Sequence, residues 1–170
     1  MPGPRTSLLT LHTTWGDIRV AVRGGRVVEC TLPFARGTPA SAPRVESVRC
    51  DQAAPGDRAV LRAAERFVRA ALAGRAAPCP PVEMPKGAPF FAACRRAMQR
   101  VPRGRTVTYR ELSARAGRAA AVRAAGQACA RNPLPLFVPC HRILASGGGL
   151  GGFSGGLAWK RHLLEAESGS

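Results

Sequence analysis

A cysteine and a histidine stand side by side in an apolar part of the sequence, at Pro139-Cys140-His141-Arg142. An ordinary thiol has a pKa of about 8.5, so a base must take its proton before it can attack at neutral pH. Adjacent side chains point apart in an extended chain, so a bridging water would have to join Cys140 to His141. The segment predicts either a nucleophilic thiol with an indirect base, or a structural thiol beside a core histidine.

A glycine-rich segment follows at 146–156 and reads SGGGLGGFSGG. It lacks the Gly-Lys-Ser/Thr ending of a phosphate-binding P-loop. An amphipathic helix with Leu157, Trp159, Leu163 and Leu164 comes directly after it, where a flexible linker is not expected. The pattern favours a wall that lets the backbone approach a flat ligand closely.

The elements that must position these groups are helices in the second half of the chain. A helix is predicted over 90–100, and Thr108 caps a second one, with Glu111 in the capping-box position and Gly117 at its end. An Ala-rich helix is predicted over about 118–131. Helix, glycine turn and helix form the outline of a helix-turn-helix motif.

Around this motif, the chain leaves the Ala-rich helix at Asn132-Pro133, because the residue before a proline is pushed out of the helical region. The apolar run 134–138 is then predicted as a buried, strand-like segment that delivers Cys140.

The Ala-rich helix is unusually smooth for a helix that reads DNA. Its inward positions are Val122, Ala125 and Cys129, and its opposite face carries Ala119, Ala120, Arg123, Gln127 and Ala130. A major-groove reader would present several long polar side chains to the base edges. A smooth face with one long cation suits close approach in the minor groove. The alternative is a buried core helix with a solvated arginine at its edge.

The first half of the chain predicts a β region followed by one helix. Strand formers fill 8–34, with turns at 15–17 and 23–25, and a loop with a short strand near 45–48 follows. An amphipathic helix is predicted over 57–73. Five prolines in 74–89 indicate a linker or extended crossing segment, so we predict domains at 1–84 and 85–170.

Composition limits the class of protein. The 170 residues are 45% hydrophobic and 21% charged, which excludes a disordered basic tail. The net charge of +16 predicts a polyanionic partner, although a biased genome could account for the preference for arginine over lysine. No apolar run reaches the length of about 18 residues that a membrane span needs, and Met1–Thr10 does not look like a secretory signal. A cytoplasmic, membrane-free protein is expected.

Six cysteines are present, and none forms a CxxC pair. This argues against a zinc ribbon or a thioredoxin-type site. We expect reduced thiols, most of them buried, with no metal and no cofactor.

Together these motifs resemble the O6-alkylguanine-DNA alkyltransferases, strongly over about 85–167 and more loosely over 8–73. The resemblance rests on the run 123–128, Asn132-Pro133, the Pro-Cys-His-Arg tetrapeptide and the run 151–156. It implies an α/β (α+β) fold, with an N-terminal ribonuclease-H-like β-sheet domain and a C-terminal helical domain with a helix-turn-helix. It also implies direct repair of DNA, in which O6-alkylguanine, and as a further candidate O4-alkylthymine, loses its alkyl group to Cys140 once per molecule.

The resemblance also implies roles for individual residues. Cys140 is the acceptor, His141 takes its proton through a water, and Glu167 orients His141. Asn132 ties the turn near Cys140, called the cysteine turn below, to the helix-turn-helix. Arg123 fills the gap left by a flipped nucleotide. The remaining implied residues are DNA contacts at Tyr109, Ala119, Ala120 and Gln127, and a guanine pocket formed by Tyr109, Ile143, Phe153, Ser154 and Gly155. The partner is double-stranded DNA, held in the minor groove without sequence preference by a monomer.

Some positions depart from the family pattern. Phe153 stands where many relatives carry Tyr, Cys129 replaces a residue that is often larger, and 118–121 lacks the usual turn residues. Two other classes compete. A damage sensor with this scaffold would lack the acceptor cysteine, and a Cys-His hydrolase would need an oxyanion hole that no motif specifies.

Overall fold

The first half of the chain is built on a four-stranded antiparallel sheet. The computed structural model describes residues 5–35, 37 and 39–169, so Met1–Pro4, part of the segment assessed for a signal, lie outside the described residues. The strand order is β3-β2-β1-β4. The strands are β1 (Ser7–Thr13), β2 (Gly16–Arg23), β3 (Arg26–Thr31) and β4 (Val45–Asp51).

Alternation of apolar residues fixes which face of the sheet is buried. Ile18, Val20 and Val22 of β2 are fully buried, as expected for a strand with one face on the core. The amphipathic helix α1 (Arg58–Leu72) covers that face with Leu61, Ala64 and Val68, among others. The predicted turns and helix are confirmed, whereas the short strand near 45–48 is longer than predicted because β4 pairs with most of β1.

The Pro-rich segment runs beside the edge of the sheet. The backbone N–H of Val27 donates to Pro81 O at 2.9 Å, and the N–H of Glu83 donates to Val27 O at 2.8 Å. Pairing of this kind covers an edge strand whose polar groups would otherwise be open to another chain. The extended crossing segment is confirmed, and the domain boundary within it stays a prediction.

The second half is mainly helical. Its elements are α2 (Pro89–Gln99), β5 (Val107–Thr108), α3 (Tyr109–Arg115), α4 (Val122–Ala130), β6 (Ile143–Leu144) and α5 (Leu157–Ser168). Strands β5 and β6 pair in parallel and bring the start of α3 beside the segment that follows Cys140. Helix α3 begins with a complete capping box between Thr108 and Glu111, as predicted. Helices α3 and α4 form the helix-turn-helix.

Two predicted elements are wrong. Helix α4 begins at Val122 rather than near Arg118, since residues 118–121 form a turn. The run 134–138 is a series of turns rather than a strand-like segment. Pro133 and Pro135 supply no N–H to a ladder, and Leu136 adopts a φ of +73°. The turn closes when the Val138 N–H donates to Leu134 O at 2.8 Å.

The two halves share one continuous core, in which Trp159 of α5 is fully buried and donates to Pro33 O at 2.8 Å. The fold is therefore the expected mixed α/β class, with an antiparallel sheet in the first half and helices in the second. No helix within the described ranges is long and apolar enough to span a membrane.

Candidate functional site

A cavity of about 380 Å³ lies where α3, α4, the cysteine turn and the glycine-rich segment meet. Small side chains on α4 leave this space open between the helix and the glycine-rich wall. The lining residues are Tyr109, Gly126, Cys129, Ala130, Cys140, Gly152, Phe153 and Ser154. The predicted acceptor and three of the predicted pocket residues therefore share one cavity.

Asn132 holds Cys140 in place. Its amide Nδ2 donates to Cys140 Sγ at 3.3 Å and to Val138 O at 2.9 Å, while its Oδ1 accepts from Leu134 N at 3.2 Å. All of these groups are buried, so each lost bond would leave a polar atom without a partner. Asn132 thus fixes the turn that begins at the end of α4 and presents the thiol.

His141 and Glu167 form a buried pair that lines a second cavity, separate from the one that Cys140 lines. His141 Nε2 lies 2.9 Å from Glu167 Oε1, and Arg142 Nη2 donates to the same oxygen at 2.7 Å. Burial acts to raise the pKa of Glu167, but hydrogen bonds from His141 and Arg142 bring it down to about 2. The carboxylate is ionised at neutral pH and accepts the proton on Nε2, so Nδ1 is left as an acceptor.

Within the described part of the chain, the buried Nδ1 of His141 has no hydrogen-bond partner, and no direct bond joins it to Cys140. Burial lowers the pKa of His141, and the hydrogen bond with Glu167 offsets this only in part. A neutral imidazole with a free acceptor is the state in which a histidine can take a proton.

Lys160 is a site residue that the sequence analysis missed. It is fully buried on α5 and donates to Ile143 O at 2.6 Å. Its charge acts to lower the pKa of the Cys140 thiol, as does the hydrogen bond from Asn132, against the larger effect of burial. The sequence feature that could have identified Lys160 is its place on the apolar side of the last helix, three residues before Leu163 and next to Trp159.

The predicted DNA contacts lie on and just before α4, except for Tyr109, which begins α3 and lines the cavity. Arg123 and Gln127 are exposed on the helix, and Ala119 and Ala120 are exposed in the turn before it, not on the helix as predicted. Ala125 and Ala128, on the other face of α4, are buried against the core. One small, smooth face is therefore open to a partner.

Two predicted pocket residues lie outside the cavity lining. Ile143 is fully buried, and its carbonyl already accepts a hydrogen bond from Lys160. Gly155 is buried between Leu32 of the first half of the chain and Trp159 of α5. A Cβ at this position would lie 3.0 Å from Leu32 and 3.1 Å from Trp159. Both support the cavity wall from behind. Among the described residues, no three Cys, His, Asp or Glu side chains are grouped to hold a metal ion.

Comparison with known proteins identifies the helical half. A family model described as 6-O-methylguanine DNA methyltransferase, DNA binding domain, matches residues 89–169. A methylated-DNA–protein-cysteine methyltransferase of Methanothermobacter thermautotrophicus is 51% identical over 67 residues, 39% of this chain and 37% of the relative. The constitutive enzyme of that name from Bacillus subtilis is 44% identical over 70 residues, 41% of this chain and 42% of the relative. The chain thus spans well under half the length of these two relatives.

Longer matches extend the likeness into the sheet. The protein of the same name from Methanosarcina acetivorans is 37% identical over 107 residues, 63% of this chain and 69% of the relative. The crystal structure of Mycobacterium tuberculosis OGT in complex with DNA superposes with a TM-score of 0.74 at 25% identity, over 94% of this chain and 91% of that one. The chain belongs to the methylated-DNA–protein-cysteine methyltransferase family.

Proposed function

We propose that this protein repairs DNA by taking the alkyl group of O6-alkylguanine onto Cys140, once per molecule. The observation that carries the proposal is the placement of the thiol. Cys140 lines the cavity, Asn132 holds its sulfur at 3.3 Å, and the next residue, His141, is paired with Glu167 at 2.9 Å. We extend the proposal to O4-alkylthymine as a second substrate.

The proton of the thiol leaves through His141. Glu167 holds Nε2–H, so Nδ1 accepts the proton of Cys140 through a bridging water. The Asn132 amide and the Lys160 ammonium stabilise the negative charge of the resulting thiolate. This is nucleophile activation by a base that a third group orients.

The transfer itself is a single displacement. The thiolate sulfur attacks the alkyl carbon, the S–C bond forms, and the C–O6 bond breaks with its electron pair on guanine. Guanine then takes up a proton and leaves as the repaired base, while the thioether on Cys140 stays. A thioether offers no route back to the thiol, so each molecule acts once.

Reaching the cavity requires the damaged nucleotide to leave the duplex, because O6 is not accessible inside the base stack. The smooth face of α4 approaches the minor groove, and Arg123 enters the gap. Double-stranded DNA is bound through its backbone, without sequence preference, by a monomer in the cytoplasm. The charge of +16 and the exposed Arg123 and Gln127 support this mode.

The first experiment is mass spectrometry of the intact protein and of its peptides after mixing with excess duplex DNA that contains O6-methylguanine. We expect one added methyl group per chain, located on the peptide with Cys140, with no further gain at longer times. A Cys140→Ala variant should still bind the DNA but gain no mass. Binding with no mass change in the unaltered protein would instead indicate a damage sensor, and repeated release of product would indicate a hydrolase.

A further inference from the structure

Four of the six cysteines are buried. They are Cys30, Cys94, Cys129 and Cys140, while Cys50 and Cys79 are exposed. The negative charge of a Cys140 thiolate acts to raise the pKa of both Cys30 and Cys129. Only Cys129 lines the same cavity as Cys140. The proposed transfer uses Cys140 and leaves this second cavity thiol without a role.

We propose that Cys129 and Cys140 form a peroxide-sensitive dithiol, in which Cys129 captures oxidised Cys140 as a reversible disulfide. A disulfide would hold the acceptor in a form that thiols can restore. Without the second thiol, the oxidised acceptor would be oxidised further to sulfinic and sulfonic acids, which thiols do not reduce. The inference concerns oxidation by peroxide and goes beyond the proposed repair activity.

Asn132 brings the two cysteines together. Its backbone N–H donates to Cys129 O at 3.1 Å, and its side chain donates to Cys140 Sγ at 3.3 Å. Cys129 is in the last turn of α4 and Cys140 begins the short 3-10 helix after the cysteine turn. One residue thus ties the backbone that carries one thiol to the sulfur of the other.

The cavity favours Cys129 over Cys30 as the partner. A peroxide molecule can reach the buried sulfur of Cys140 only through the open space that Cys140 lines, so the new S–OH group forms on that side. Cys129 also borders this space, whereas Cys30 does not and packs in the core under the sheet. Cys129 and Cys140 therefore border the same open space, and small neighbours such as Gly126 and Ala130 do not fill it.

The chemistry is balanced with hydrogen peroxide as the only oxidant. The Cys140 thiolate attacks one peroxide oxygen, the O–O bond breaks, and hydroxide leaves with the electron pair to give Cys140–SOH. The sulfur of Cys129 then attacks the Cys140 sulfur, the S–O bond breaks, and the departing hydroxide takes the Cys129 proton to form water. Two thiols and one peroxide give one disulfide and two waters.

The test uses the full, reduced chain treated with a small excess of hydrogen peroxide, followed by alkylation of free thiols and trypsin digestion. Trypsin places Cys129 in the peptide 124–131 and Cys140 in the peptide 132–142, so their cross-link is a distinct species. We expect this cross-linked pair as the main oxidised product, and dithiothreitol should return both free peptides. Cross-linking of Cys140 to Cys30, or oxidation of Cys140 without any cross-link, would overturn the proposal.

The matched variants are Cys129→Ser and Cys129→Ala, with Cys50→Ser on exposed β4 as the control. Each variant is compared with its own untreated activity. After peroxide and then dithiothreitol, the recovered fraction should fall about fivefold or more in both Cys129 variants, as Cys140 proceeds to sulfinic acid. It should match the unaltered protein in Cys50→Ser. Equal recovery in all of them would refute the protective role of Cys129.

Failure of this inference can be told apart from failure of the proposed function. The cross-linked peptide pair is a mass measurement that needs no alkylated DNA. If the disulfide forms but methyl transfer does not occur, only the proposed repair activity is wrong. If methyl transfer occurs without the disulfide, only the dithiol is wrong.

Discussion

Around Cys140, opposing effects are balanced over very short distances. Burial disfavours the thiolate, while the Asn132 amide and the Lys160 ammonium favour it. The same burial keeps His141 neutral and therefore able to accept a proton. The groups that stabilise the anion are thus already in place when the proton of the thiol is removed. These arrangements also make the fold sensitive to pH.

The first prediction is a loss of stability below neutral pH that depends on His141. Burial lowers the pKa of His141 in the folded protein, whereas an unfolded histidine titrates near its ordinary value of about 6.5. The unfolded chain therefore binds this proton first, and the free energy of unfolding falls as the pH drops from about 7 to 5. One such proton contributes a slope of at most about 1.4 kcal/mol per pH unit.

Urea unfolding at a series of pH values measures this slope. His141→Gln should flatten it between about pH 5 and 7. Glu167 acts in a separate window. Because its pKa is lowered to about 2, its contribution is present above the ordinary carboxyl pKa and is lost only in stronger acid. An unchanged slope in His141→Gln would contradict the assignment of the neutral state.

At the scale of elements, the glycine-rich wall approaches α3 so closely that a side chain would not fit. Gly151 has a φ of +67°, and a Cβ at that position would lie 2.7 Å from the hydroxyl oxygen of Tyr109. Gly148 has a φ of +83° but faces open space. An alanine at either position costs about 1 kcal/mol in backbone strain, so the difference between the two isolates the contact with Tyr109.

We therefore predict that Gly151→Ala slows methyl transfer about tenfold or more relative to Gly148→Ala, because a shift of Tyr109 misplaces the substrate. Single-turnover kinetics with excess duplex substrate measures both rates, and thermal unfolding shows whether the two variants lose similar stability. Equal transfer rates would mean that Tyr109 does not set the geometry of the cavity.

The sequence was most informative about elements with a local cause. The capping box at Thr108, the turns between the first strands and the periodic apolar face of α1 depend on neighbouring residues, and all were predicted. Long-range contacts decided the rest. The run 134–138 is apolar because it packs against other elements, and its prolines prevent a strand. Lys160 was not predicted as a site residue, because its contact with Ile143 O joins residues that are distant in the sequence.

The candidate site shows the same division between features with a local cause and features that depend on long-range contacts. A tetrapeptide with a family resemblance makes Cys140 and His141 the candidates for the chemistry, because the two residues are adjacent in the sequence. The partners of that tetrapeptide at Asn132 and Glu167 follow from the resemblance, and their contacts are visible only in the fold. That Ile143 and Gly155 are outside the cavity lining could not be predicted, since the pattern does not say which side of the backbone faces the open space.

At the scale of the whole molecule, the proposed mode of DNA binding combines one inserted side chain with a diffuse positive field. We predict that Arg123→Ala weakens duplex binding and slows repair in duplex DNA about tenfold or more, because nothing then fills the gap left by the flipped nucleotide. Reaction with free O6-benzylguanine should stay within about twofold, since no duplex has to open. Arg62→Ala, which removes the same charge from exposed α1, is the control. Equal losses on both substrates would contradict insertion by Arg123.

The diffuse field makes a separate prediction about salt. A protein that neutralises phosphates releases their condensed counterions, so the logarithm of the affinity falls linearly with the logarithm of the salt concentration. With a net charge of +16 and exposed arginines on both halves, we expect several such contacts. Four of them would weaken undamaged-duplex binding about 100-fold between about 50 and 200 mM salt. Fluorescence anisotropy with duplexes of unrelated sequence measures the slope, which should not depend on the sequence. A flat response, or a slope that differs between sequences, would mean that contacts to bases rather than to phosphates hold the protein on DNA.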